Sequence, residues 1–422
     1  MKRTVFIVGI LVLLVAAFFV ARRQQSPVPV RVGILHSRTG TMAMSEQPVI
    51  DATLFAIEEL NRRGGVLGRP VEPIIADGGS DPDQFALAAE RLIDVDKVSV
   101  IFGCWTSASR KEVGAVVEKR NHLLVYPLQY EGVEQSSAIV YMGSVPNQQI
   151  KPAVKWAMDN LGRRFFLIGS DYIFPRIANH VISDLADLLG GAVVAERYQP
   201  LGGKDFDAIA EEIAALRPAV VFNTLNGDSN IAFFAALQRH GLGSADIPVL
   251  SFSITETELQ AMSEVLPKGA MAGHYASWSY FESLPGVENR SFLQRFRARY
   301  GVGRRLNDPM VSAYEGVQLW AQSVAEAASI EPIKVRHAFS RQSMNGPGGI
   351  IYIDDQSHHA WKTSRIGRST GDGMFEIVWD SQQPVRPEPF PSFDERGHWQ
   401  ELVDRYYQRW DNHWAPVVEG AR

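Results

Sequence analysis

Cysteine is nearly absent. Cys104 is the single one among 422 residues, so no internal disulfide can form, and cross-links add nothing to stability even in an oxidising compartment. Surplus positive charge is missing too. The formal net charge is −5, and the first 23 residues hold four basic residues and no acids, leaving −9 on the remainder. That balance excludes nucleic acid as a partner, because its phosphates require clustered lysine and arginine. The chain also lacks a phosphate-cradling glycine spacing, short repeats and low-complexity stretches. His358 and His359 are adjacent but have no third ligand at a fixed spacing. A surface turn is the expected role for that pair, and no metal or cofactor is expected.

What is present begins with residues 5–21, uncharged and almost wholly apolar, preceded by Lys2 and Arg3 and followed by Arg22 and Arg23. Such a segment is a secretory signal peptide or an uncleaved membrane anchor, and either one predicts an extracytoplasmic, periplasmic location. Neither Ala17 nor Ala21 sits in a clean small-x-small cleavage pattern, so the anchor is the reading preferred.

From residue 30 onward, strands and helices alternate. Residues 30–35, 71–76, 98–102, 123–126, 165–169, 193–198, 220–224 and 249–252 read as short apolar strands. Residues 49–63 read as an amphipathic helix ended by Gly64 and Gly65. Asp81 and Pro82 supply an N-cap and a first-turn proline for a helix over residues 83–93. Repeated βα units imply parallel sheets flanked by helices. About ten such units are too many for one sheet, which predicts two lobes. Crossovers between the lobes are expected near residues 146–149, 269–277 and 345–349. After residue 380 the character changes. Pro384, Pro387, Pro389 and Pro391 make an extended stretch, and Trp399, Leu402, Val403, Tyr406 and Trp410 then share one helical face. That helix packs on its own lobe or docks a partner.

The run Phe102-Gly-Cys-Trp-Thr-Ser-Ala-Ser-Arg-Lys111 closes a strand and opens a helix. Its hydroxyls and the free N–H groups of a helix start suit a small oxygen-bearing ligand, uncharged or singly charged.

Several runs together resemble the type I periplasmic solute-binding proteins. They are Val32-Gly-Ile-Leu-His-Ser-Arg-Thr-Gly40, Gly103-Cys-Trp-Thr-Ser-Ala-Ser-Arg-Lys111, Tyr126-Pro-Leu-Gln-Tyr-Glu-Gly132, Pro146-Asn-Gln-Gln149, Gly169-Ser-Asp-Tyr-Ile-Phe-Pro-Arg176 and Phe222-Asn-Thr-Leu-Asn-Gly-Asp-Ser-Asn230. The branch resembled is that of urea and short-chain-amide receptors, within the branched-chain-amino-acid type of ABC transporter. The resemblance spans residues 31 to 380. It implies an α/β fold of two Rossmann-like lobes with parallel sheets joined by three crossovers, plus an N-terminal hydrophobic segment and a C-terminal tail. The lobes would comprise residues 31–147 with 273–345, and 148–272 with 346–380. Residues 1–30 and 381–422 would lie outside them.

The resemblance also assigns a site. Thr106 and Ser107 would donate to the ligand carbonyl, although Ser and Thr at a helix start also serve simply as N-caps. Trp105 would wall the pocket, or else be a core tryptophan. Tyr126 and Gln129 would contact the ligand, the amide of Gln129 offering both donor and acceptor. The alternative for them is a turn set by Pro127. Tyr172 would approach from the second lobe on closure, and Asp228 would accept N–H bonds there or merely cap a helix. The expected function is capture of a small amide, above all urea, for ABC permease subunits, with no catalysis. The alternative is a membrane-tethered sensor of the same ligands, attached through the N-terminal segment and reporting to a signalling partner. Cys104 as an amidohydrolase nucleophile lacks a base at any defining spacing and reads as a small buried residue.

Overall fold

In the computed structural model, which describes residues 27–416, Val30–His36 (β1) lies buried inside a five-stranded sheet, one strand in from an edge. Val71–Asp77 (β2) forms the edge on one side, and Ile101–Gly103 (β3), Leu124–Tyr126 (β4) and Ile139–Tyr141 (β5) continue on the other. Every pairing in this sheet is parallel. The connecting helices are Ala43–Arg62 (α1), Pro82–Asp94 (α2) and Ser107–Lys119 (α3). Asp81 caps α2 as the sequence predicts, accepting from the N–H groups of Asp83 at 2.8 Å and Gln84 at 3.2 Å. After α1 the chain reverses at Gly65 (φ +73), where a Cβ would stand 1.9 Å from the Arg69 carbonyl oxygen. Only glycine fits there.

The second lobe alternates Ile150–Asn160 (α4), Arg164–Ser170 (β6), Ile173–Leu188 (α5), Ala192–Gln199 (β7), Asp207–Leu216 (α6), Val220–Thr224 (β8), Ser229–Arg239 (α7), Val249–Ser251 (β9) and Glu256–Val265 (α8). Tyr275–Trp278 (β10) completes its parallel part. The chain then returns through Val287–Tyr300 (α9), Asp308–Ala327 (α10) and Pro332–Phe339 (α11), which cover the first sheet. Ser343–Gly346 (β11), Gly349–Ile353 (β12) and Ala360–Trp361 (β13) form a small antiparallel sheet. Arg365–Ser369 (β14) and Phe375–Asp380 (β15) extend the second sheet with antiparallel pairings, giving it the order β15-β14-β10-β9-β8-β6-β7.

Two crossings fall later than the sequence suggests. Residues 269–277 include most of β10, which belongs to the second sheet, so the return to the first lobe follows Trp278. Gly269 and Gly273 mark the turn ahead of a strand. The glycines at 346–349 likewise close the β11–β12 hairpin, whose Ile351 and Ile353 lie in the first core, and the last crossing follows Trp361. The crossings are tied together by the 146–149 run. The Gln149 side chain donates to the Ser277 carbonyl at 2.7 Å, and that of Gln148 donates to the carbonyls of Ala360 at 3.0 Å and Val385 at 2.8 Å.

The proline-rich stretch runs over these crossings, the Pro389 carbonyl accepting from the Val133 N–H at 2.7 Å. Arg396–Arg409 (α12) then packs Trp399, Leu402, Val403 and, just beyond the helix, Trp410 into the second core, so its apolar face is spent on its own lobe. Among the described residues no helix is long and apolar enough to cross a membrane, and residues 5–21 lie outside them.

Candidate functional site

The βα turn between β3 and α3 is forced by close packing. At Gly103 a Cβ would sit 2.1 Å from the Leu35 carbonyl oxygen, and Cys104 takes φ +67 while donating its N–H to that same oxygen at 2.9 Å. Left-handed backbone at a non-glycine residue is strained and persists where the surroundings dictate it. Thr106 then caps α3, its hydroxyl oxygen accepting from the Ser109 N–H at 3.1 Å. The helix itself supplies no acceptor for the N–H groups of Ser107 and Ala108. Thr106 and Ala108 line a cavity of about 330 Å³ between the two lobes.

Behind this turn lies a buried ionic network. The Ser107 hydroxyl donates to Glu131 at 2.5 Å and accepts from Arg110 at 2.9 Å. Arg110, fully buried, also reaches Glu131 at 3.2 Å and Glu134 at 3.0 Å, and Lys111 meets Glu134 at 2.8 Å. Two cations thus face two carboxylates, with no surplus charge. Burial alone would raise the Glu134 carboxyl, but Arg110 and Lys111 hold it far below the usual range. The Tyr126 hydroxyl donates to the Trp105 carbonyl at 2.7 Å, and burial keeps that phenol neutral.

The second lobe closes over this network. Tyr172 occupies the N-cap position of α5 and is 2% exposed, yet its hydroxyl has no hydrogen-bond partner among the described residues. Burial pushes its phenol well up, and Tyr126 and Glu131 of the first lobe add to the push. The Trp105 indole N–H donates to the Asn226 side-chain oxygen at 3.3 Å, and the Gln129 amide donates to the Phe252 carbonyl at 2.8 Å. The other face of that amide, Oε1, is buried without a partner among the described residues. At the rim the Thr41 hydroxyl donates to Asp228, which makes no cap bond to α7. These bonds join the lobes in a closed arrangement.

The structure therefore distributes the sequence-derived site residues in layers. Thr106 and Tyr172 line the cavity, Ser107 and Tyr126 stand behind it, Trp105 and Gln129 span the lobes, and Asp228 latches the rim. Sequence reasoning missed Glu131, Arg110, Asn226 and Thr41. Glu131 lies inside the run that held Tyr126 and Gln129, and Arg110 stands three residues after Ser107, on the same helical face.

The cavity lining is acidic. Asp81, Asp83, Glu112 and Asp171 face His413 there, with Asp171 paired to Arg176 at 2.7 Å. Cys104 is buried, and burial raises its thiol well away from thiolate formation, with Glu46 adding to the effect. His36 is engaged with Glu46 at 2.8 Å and His122 with the Val98 carbonyl at 2.9 Å. His359 is not on a surface turn. It stacks on Tyr141 at 4.1 Å and bonds the Tyr130 hydroxyl at 2.5 Å within the core.

A family model described as the periplasmic binding protein domain matches residues 30–396. The leucine-, isoleucine-, valine-, threonine- and alanine-binding protein of Pseudomonas aeruginosa is 22% identical, the match covering 78% of this chain and 86% of that one. A solute-binding protein of an ABC transporter from Rhodopseudomonas palustris, solved with 3,4-dihydroxybenzoic acid, superposes with a TM-score of 0.77 at 20% identity, over 87% of this chain and 99% of that one. A shorter match, 36% identical over 118 residues, is to a limonene hydroxylase of Geobacillus stearothermophilus. It spans 28% of this chain and 22% of that protein.

Proposed function

Since the chain belongs to the periplasmic binding protein family, we propose that it captures a small uncharged amide, urea foremost, between its lobes and presents it to an ABC permease. Membership of that family makes it an extracytoplasmic solute-binding protein of an ABC transporter. The amide is the further step. One observation carries it. Tyr172, only 2% exposed and with no hydrogen-bond partner for its hydroxyl among the described residues, lines the cavity from the second lobe, together with Thr106 and Ala108 at the head of α3.

Such a site offers donors to a carbonyl and acceptors to N–H groups. The backbone of Ser107 and Ala108 supplies the first and the Tyr172 oxygen the second, while Glu131, behind the turn, holds the Ser107 hydroxyl in place. Arg110 and Lys111 are already matched by Glu131 and Glu134, so neither is free to meet a ligand carboxylate. The acidic lining disfavours an anion such as the benzoate seen in the Rhodopseudomonas protein. Closure strips water from the ligand, which strengthens each polar contact and rejects molecules that leave buried groups unpaired. It also shifts the open–closed population toward the form a permease reads. At about 330 Å³ the cavity holds more than urea, so acetamide and longer short-chain amides belong to the same ligand set.

A thermal-shift panel tests the reading on ligand-free protein. Amides at a hundred times their Kd should add about 2.7 kcal/mol of stability. Stabilisation by leucine or 4-hydroxybenzoate with none by urea or acetamide would overturn it.

A further inference from the structure

The family match ends at residue 396, yet the chain continues to the mouth of the cleft. Trp399, Leu402, Val403 and Trp410 anchor α12 and its exit in the second core. Asp411 and Asn412 then take φ of +52 and +64, consecutive left-handed residues that turn the backbone sharply out of the helix. The turn delivers His413, Trp414, Ala415 and Pro416 to the wall of the interlobe cavity.

Trp414 touches both lobes. Its carbonyl accepts the Ile173 N–H at 2.9 Å, at the start of α5 beside Tyr172. Its ring lies 4.7 Å from the Lys111 ammonium of α3, one turn beyond Ser107, and 4.3 Å from the Tyr407 ring behind it. Lys111 is held in turn by Glu134 of the first-lobe network. A half-buried tryptophan thus sits between Ile173, next to Tyr172, and Lys111, one helical turn from Ser107.

We propose that Trp414 is a specificity-determining residue: the 413–416 segment is the outer wall of the ligand cleft, bounding ligand length and slowing release from the closed form. The proposal rests on the cleft being the ligand site. It assigns the segment beyond the family domain a part in selection, with the rotamer-poor indole filling space that a longer amide chain would otherwise occupy.

Two variants test it, Trp414→Ala and a chain stopped after Asn412, which keeps the anchors Trp399, Leu402, Val403 and Trp410. Calorimetry and stopped-flow release are run with urea, acetamide, butyramide, benzamide, leucine and 4-hydroxybenzoate. The expected result is about tenfold faster release of the compact ligand and new binding of a bulkier member. Hydrogen exchange without ligand supplies a second reading: the Ile173 amide should exchange faster in the stopped chain. A size profile and release rate unchanged by both variants, or an Ile173 amide indifferent to the truncation, overturns the proposal. If the native protein prefers leucine or 4-hydroxybenzoate, the amide reading fails, and the wall is judged on that ligand by the same comparison.

Discussion

Replacing Tyr172 with Phe separates a ligand contact from a structural one. The side chain is buried at the head of α5 and its hydroxyl bonds no described residue, so its removal costs no hydrogen bond among them. Stability should stay within about 0.5 kcal/mol of the native protein, because no cavity is created beyond one oxygen. Binding should respond differently. A neutral hydrogen bond contributes about 0.5–1.5 kcal/mol net, so the Kd for urea or acetamide should rise by roughly 3- to 10-fold. The ring contact to Phe174, at 6.2 Å between centroids, is retained, which keeps the α5 start in place. Calorimetry gives the affinity and guanidinium denaturation the stability, both on the same preparations. A variant that binds as tightly as the native protein would refute the contact. One destabilised by more than about 2 kcal/mol would show that the hydroxyl serves the fold instead.

Three other outcomes follow from the same geometry. Glu131→Gln breaks a buried pair with Arg110 and the bond from Ser107, so denaturation should show a loss of about 3 kcal/mol, with amide affinity falling at least about tenfold. Burial lifts the Glu315 carboxyl from its ordinary 4.5 to about 7, against the opposing field of Lys362. Between those values the folded protein keeps a proton that the unfolded chain releases. Its contribution is therefore full below pH 4.5 and lost as pH rises to 7, about 3 kcal/mol in all. Glu315→Gln should gain that amount relative to the native protein between pH 4.5 and 8. The difference between the two proteins is the quantity to measure, because burial lowers His274 to about 4 and gives the opposite slope. Cys104, buried with a raised thiol, should resist a disulfide reagent until denaturant is added.

Most of the βα order was legible because each strand is a short apolar run and each helix start carries a local signal, as at Asp81-Pro82. The crossings were less so. Gly273 and the glycines at 346–349 are turn signals whatever follows them, and only the pairing of Tyr275–Trp278 with β9 and β14 reveals a strand of the second sheet. His359 misled for a similar reason: beside His358 and without a third ligand at a fixed spacing it reads as part of a surface turn, while its burial comes from Tyr130 and Tyr141, distant in sequence. The candidate site was half legible. Ser107 and Tyr126 stand out by position, but Glu131 looks like any turn glutamate until Arg110 is seen fully buried beside it. Trp414 carried no signal, since its meeting with Lys111 depends on how α12 docks.

The most direct test is calorimetric titration of urea into ligand-free protein beginning at residue 27, repeated with Ser107→Ala and Tyr126→Ala. The account predicts saturable one-to-one binding that weakens sharply in both variants, because each removes part of the network behind the α3 turn. Saturable leucine binding with no heat from urea would contradict it, as would urea binding indifferent to both substitutions.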